Sequence, residues 1–149
     1  NTLFIAYALQ WAEEIGADAI FTGLTATDAS PYPDTRPEYV EAYQHLIDKA
    51  TKQTATGKKI ELKTPLLHLY KSETIDIGTQ LGVPYEDTWS CYSPKKNLRQ
   101  VNNGIEINYE PCLECDTCFL RTKGFIEAGY RDPAISEEKW KKVLEKWKK

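Results

Sequence analysis

The four cysteines of this chain, Cys91, Cys112, Cys115 and Cys118, fall in one stretch, and the last three form an uninterrupted C-x-x-C-x-x-C run. A local hook of thiols with one remote partner is a metal-site spacing. Zinc takes four soft ligands in a tetrahedron, and four thiolates fill its shell with no position left for a substrate. The pattern therefore points to a structural site rather than a catalytic one. Two other readings of the same residues stay open: an iron–sulfur cluster on the Cys-x-x-Cys-x-x-Cys run, and disulfides or free thiols. Nothing at the N-terminus has the charged flank and apolar core of a secretory signal, so a reducing, cytoplasmic compartment is expected, which weighs against disulfides.

At 149 residues, 41% of them hydrophobic, the chain is long enough to bury a sizeable core. No apolar run approaches the roughly 20 residues that span a bilayer, so no membrane partner is expected. A net charge of −3 provides no field to recruit nucleic acid across the whole surface. Charge is uneven, however. Lys139, Lys141, Lys142, Lys146, Lys148 and Lys149 stand against Glu145 alone at the C-terminal end. That reads as the solvated side of a helix, with an anion-contacting surface as the alternative. The chain contains no methionine, and Asn1 leads directly into an apolar periodic segment, so a piece cut from a longer polypeptide is expected.

Leu3, Phe4, Tyr7, Ala8, Trp11 and Ile15 recur at helical spacing up to Gly16, a helix stop. The run from Ala19 to Leu24 predicts a buried strand. A loop dense in Asp, Ser, Thr and Pro follows from Thr25 to Arg36, and Pro37 opens a helix whose inner face is Tyr39, Val40, Tyr43, Leu46, Ile47 and Ala50. Ile60 to Thr64 predicts a second strand, ended by Pro65, and a helix runs from about Lys71 to Leu81 before Gly82. This alternation predicts an α/β fold with an open parallel sheet, of which two strands are only a part. Near the C-terminus, Trp140, Val143, Leu144 and Trp147 share one face of a helix capped by Ser136.

Ligands of such folds sit beyond the carboxyl ends of the strands, which directs attention to the Thr25 to Arg36 loop. Tyr32, Asp34 and Arg36 place a ring, an acid and a guanidinium on a proline-stiffened turn. Asp34 suits ring nitrogens and Arg36 suits a carboxylate, while the plainer reading is that the two cap the helix and pair with each other. Lys71 stands at a helix mouth where its ammonium and the backbone amides can attract phosphate. His68, between leucines, reads as a packing residue rather than a base. No glycine-rich phosphate loop, H-E-x-x-H or Ser-His-Asp arrangement stands in the chain.

Several motifs occur in an order that resembles the QueC family of 7-cyano-7-deazaguanine synthases. They are Phe21-Thr22-Gly23 leading to Asp28, Tyr32 to Glu38, Thr64-Pro65-Leu66 through Lys71-Ser72-Glu73, Thr88 to Tyr92, and Cys112 to Cys118 with Arg121, Lys123-Gly124-Phe125, Ala128-Gly129 and Asp132-Pro133. The resemblance runs from about Asn1 to Pro133. It implies an ATP-dependent ligase on the PP-loop ATP pyrophosphatase fold, using ATP with Mg2+. Such enzymes activate the carboxylate of 7-carboxy-7-deazaguanine, let ammonia displace the adenylate to give an amide, and activate that amide again to give the nitrile. By the same resemblance Asp28, Tyr32, Asp34 and Arg36 contact the substrate, Lys71 acts in catalysis against the phosphates, and a structural Zn2+ sits on Cys91, Cys112, Cys115 and Cys118. Homodimerisation follows from the resemblance alone.

The implied organisation is a sheet-and-helix portion over 1–90, a four-cysteine zinc segment over 91–133, and a lysine-rich amphipathic helix over 134–149. The family's Ser-Gly-Gly-x-Asp-Ser phosphate loop does not occur here, so the chain alone is expected to lack activity. Asn97 to Glu110 reads as an inserted polar hairpin, and Leu113-Glu114 stands where a Gly-x pair is expected. Two alternatives remain: a zinc-bearing scaffold that is no longer catalytic, and a fragment of a PP-loop tRNA-modifying enzyme. The absence of a basic stripe on the core weighs against a tRNA substrate.

Overall fold

The apolar periodicity after Asn1 produces helix α1 (Thr2–Ile15), and Gly16 ends it. With φ at 70°, a region open to glycine without cost, Gly16 lets its own N–H and that of Ala17 return to the carbonyls of Ala12 and Glu13. The computed structural model describes residues 1–26, 32–102 and 104–147. Two units are distinguished, Asn1–Tyr70 and Lys71–Lys149.

In the first unit, β1 (Ala19–Phe21) pairs in parallel with β2 (Glu61–Lys63), Ile20 opposite Leu62. Both strands are shorter than the apolar runs that predicted them; Leu24 and Ile60 are buried without extending the pairing. The other edge of β2 is met by a side chain. Gln44 donates through Nε2 to the Ile60 carbonyl at 3.0 Å and accepts the Leu62 N–H at 2.7 Å, so its amide stands in for a neighbouring strand. Gln44 belongs to α2 (Pro37–Ala50), which is followed by the single turn α3 (Lys52–Ala55).

The core of this unit joins Ile5, Ala12, Ile20, Tyr43, Ile47, Ile60 and Leu62. Not every apolar residue of the two helices turns toward it, and the expected inner face of α2 is met only in part. Leu3, Phe4, Tyr7, Trp11 and Ile15 are exposed, and α1 buries its smaller side, Ile5 and Ala12 with Ala8 and Leu9. On α2, Leu46 and Ala50 are likewise exposed. Periodicity cannot choose between two apolar faces, and two strands of three residues offer surface for only one. His68 is also exposed rather than packed, because the turns at Thr64–Leu67 and Leu66–Leu69 send neighbouring side chains in different directions while Leu67 is buried.

The second unit comprises α4 (Lys71–Gln80), the hairpin β3 (Lys95–Val101) and β4 (Gly104–Glu110), α5 (Asp116–Glu127) and α6 (Glu137–Trp147). Ile75, Phe125, Ile135, Trp140 and Val143 form its core, with Leu113, Tyr130 and Leu144 packed against them. A Cβ on Gly124 would lie 2.7 Å from Lys71 Cγ and 2.8 Å from Ile75 Cδ1, so this glycine permits α4 and α5 to approach. Helix α4 thus falls in the same unit as the cysteines, and α6 shares the core of Ile75 and Phe125. The hairpin begins two residues earlier than expected and is not polar on both sides. Leu98, Ile105, Ile107 and Tyr109 alternate onto one face and are exposed.

Candidate metal centre and substrate loop

Cys91 follows the short 3-10 turn Tyr85–Asp87, Cys112 lies after β4, Cys115 is the N-cap of α5, and Cys118 stands in that helix's first turn. The four sulfurs lie within 4.8 Å of one another. Cys91 and Cys112 are separated by 3.5 Å and Cys112 and Cys118 by 3.9 Å. Thiolates about 2.3 Å from one tetrahedral zinc stand roughly 3.8 Å apart. A disulfide would close a pair to about 2.05 Å, and all four cysteines are free. A cluster spreads its thiolates over separate irons and needs a wider set. The donor set fits a single metal ion such as zinc.

Backbone amides prepare this set. The Cys112 N–H donates to Cys91 Sγ at 3.2 Å, and the Glu114 and Cys115 N–H groups donate to Cys112 Sγ at 3.5 and 3.3 Å. Those two donors hold the Cys112 thiol below its ordinary value. The Thr117 hydroxyl, ahead of backbone amides, draws Cys115 down to about 5, whereas burial pushes Cys118 up. A cation among the four sulfurs would favour the thiolate form of each. The turn itself survives the absence of glycine: Leu113 takes φ 60°, at a cost of about 1 to 2 kcal/mol, while its side chain packs on the core.

A second feature, a buried ion pair, holds Cys91 in reach. Arg121 forks onto Asp132, Nε to Oδ2 at 2.6 Å and a terminal nitrogen to Oδ1 at 2.8 Å. The same guanidinium donates to the Tyr85 carbonyl at 3.0 Å and to Thr88 Oγ1 at 2.8 Å. Asp132 is fully buried. Arg121 therefore ties α5 to the segment three residues before Cys91, so remote and clustered ligands share one anchor. An arginine and an aspartate 11 residues apart carry no local signature of this pairing.

In the first unit, Tyr32, Asp34 and Arg36 lie on one turn leading into α2. Tyr32 is exposed, and its carbonyl accepts both the Thr35 N–H and hydroxyl. The Asp34 carbonyl accepts from the Asn1 side-chain amide at 3.2 Å. Arg36 is the N-cap of α2 but makes no side-chain cap bond. Asp28 lies outside the described residues. Lys71 opens α4 in the second unit, its stem lying across Gly124. At the carboxyl end of β1, the Thr22 hydroxyl is buried with no hydrogen-bond partner among the described residues.

The sequence profile of the family described as "Queuosine biosynthesis protein QueC" matches residues 1–129. The chain belongs to the QueC family. Among curated QueC relatives, "7-cyano-7-deazaguanine synthase" of Leptospira biflexa is 43% identical over 137 residues, covering 91% of this chain and 50% of that protein. The proteins of the same name from Saccharophagus degradans and Coxiella burnetii are each 46% identical over 133 residues, 89% of this chain and 54% of theirs. The chain thus spans about half the length of these relatives. No helix among the described residues is long and apolar enough to cross a membrane.

Proposed function

We propose that this QueC-family chain is the C-terminal portion of an ATP-dependent nitrile synthase that converts 7-carboxy-7-deazaguanine and ammonia to 7-cyano-7-deazaguanine. The observation that carries the reading is a four-sulfur set with spacing for one ion, inside a chain that matches proteins named for this product over nine-tenths of its length. Zn2+ on Cys91, Cys112, Cys115 and Cys118 is structural, since four thiolates leave no open position. ATP with Mg2+ supplies the leaving group that turns a carboxylate, and then an amide, into an electrophile.

The parts of this chain have distinct tasks in that reading. The Thr25 to Arg36 loop receives the deazaguanine, with Asp28 and Asp34 toward ring nitrogens, Tyr32 against the ring and Arg36 on the carboxylate. Lys71 meets the nucleotide phosphates. The Thr22 hydroxyl at the end of β1, without a hydrogen-bond partner among the described residues, supports a polar occupant there. The exposed side of α1 is surface for the rest of the sheet domain, which brings the phosphate loop. The chain is joined to that remainder and assayed by mass spectrometry for nitrile formed from the carboxylate, ATP and ammonia. Product from the joined protein and none from residues 1–149 alone is the expected result. A joined, metal-loaded, folded protein that consumes no ATP favours instead a scaffold without catalysis.

A further inference from the structure

A cavity of about 600 Å³ lies in the second unit between the loop of Cys112 and helix α6, which is beyond the residues matched by the family profile. Its walls include Leu113, Phe119, Val143 and Trp147, and the Phe119 and Trp147 rings stack at 4.9 Å with 20° between their planes. Its rim carries Lys95, Lys139, Lys142 and Lys146. Lys95 pairs with Glu114 at 3.1 Å, Lys142 with Glu138 at 2.6 Å, and Lys139 with Glu110. Lys146 makes no ion pair among the described residues. Lys146 is thus the rim ammonium left without an ion pair, over an apolar, ring-walled floor.

We propose that this cavity binds a flat organic monoanion, with its ring system against Trp147 and Leu113 and its acidic group on Lys146. The volume falls within the roughly 300 to 1,000 Å³ of small-molecule sites, and an apolar lining with one placed charge is their common composition. Lys146 is the rim cation placed to meet one acidic group, since the other three lysines are already paired. Leu113 and Cys112 line the same cavity, so an occupant also braces the left-handed turn of the metal loop. None of the residues proposed for the nitrile synthase reaction lines it, so it stands or falls separately from that reading.

The test uses the full metal-loaded chain and two probes with the same rings, 8-anilino-1-naphthalenesulfonate and the uncharged N-phenyl-1-naphthylamine. The expected result is one saturable sulfonate site whose occupancy raises the melting temperature. Lys146→Glu weakens the sulfonate about tenfold, through loss of an attraction and gain of a repulsion, and leaves the neutral probe unchanged. Trp147→Ala weakens both probes. Lys146 is exposed, so Lys146→Glu is expected to keep wild-type metal content and circular dichroism. Absence of saturable binding, equal affinity for the two probes, or sulfonate affinity unchanged in both variants overturns the proposal. The last outcome places the dye elsewhere, as on the exposed side of α1.

Discussion

Helices α1 and α6 each carry large apolar side chains, and the two units treat them differently. The first unit leaves Phe4, Tyr7, Trp11 and Ile15 of α1 exposed and buries Ile5 and Ala12. The second buries Trp140 and Val143 of the far more charged α6 and stacks Trp147 on Phe119. Hydrophobic content alone does not decide burial; a surface to cover the residue must exist. Two strands of three residues cover one face of a helix. The second unit has instead a bidentate ion pair and four convergent sulfurs to hold loop and helices together, and its core closes on them. The first unit rests on area, the second on cross-links.

The largest way to break this contrast concerns the metal ion proposed for the four sulfurs. Binding of order 10 kcal/mol is coupled to folding at such sites, so chelation should abolish the near-ultraviolet circular dichroism of Trp140 and Trp89. Persistence of that signal in the metal-free chain would mean that packing alone orders the second unit. Next comes Asp132→Ala, which leaves the Arg121 guanidinium nearly buried without its partner and should cost about 3 to 5 kcal/mol in denaturant unfolding. A loss under 1 kcal/mol would show that water replaces the carboxylate. Within the area-based unit, Ile5→Ala should cost about 2 to 4 kcal/mol, since Ile5 is 3% exposed.

Two smaller effects sharpen the comparison. Leu113→Ala keeps the left-handed backbone and loses the packing, whereas Leu113→Gly loses the packing and relieves the backbone. The glycine variant should therefore be the more stable by about 1 kcal/mol, and the reverse order would place the strain elsewhere. The smallest effect is Trp11→Ser. At 67% exposure it should change the stability of this chain by no more than about 0.5 kcal/mol. A loss of several kcal/mol would show that α1 is covered in solution.

How much was legible in the sequence follows from the same division. The cysteine spacing named the four sulfurs that converge, because a tetrahedral site needs few parts and three of them are local. Gly16, Pro37 and Gly82 marked helix ends through backbone rules that act over four or five residues. The alternation of apolar runs and helices gave an α/β fold with a parallel pair, as found. What could not be read was long-range. The face of α1 turned inward depends on the area of the sheet. The Gln44 side chain at the edge of β2 and the Arg121–Asp132 fork depend on contacts that no local pattern encodes. Alternation in the hairpin is visible in the sequence, but the polar residues of Asn97 to Glu110 outnumber Leu98, Ile105, Ile107 and Tyr109, and only the strand register joins these four on one face.

Zinc K-edge absorption on the purified chain, with metal content from elemental analysis, tests the central claim most directly. One zinc per chain surrounded by four sulfur atoms at about 2.3 Å, falling to three sulfurs in Cys91→Ser, is the predicted result. Iron with inorganic sulfide, or a zinc shell unaltered by Cys91→Ser, would contradict it.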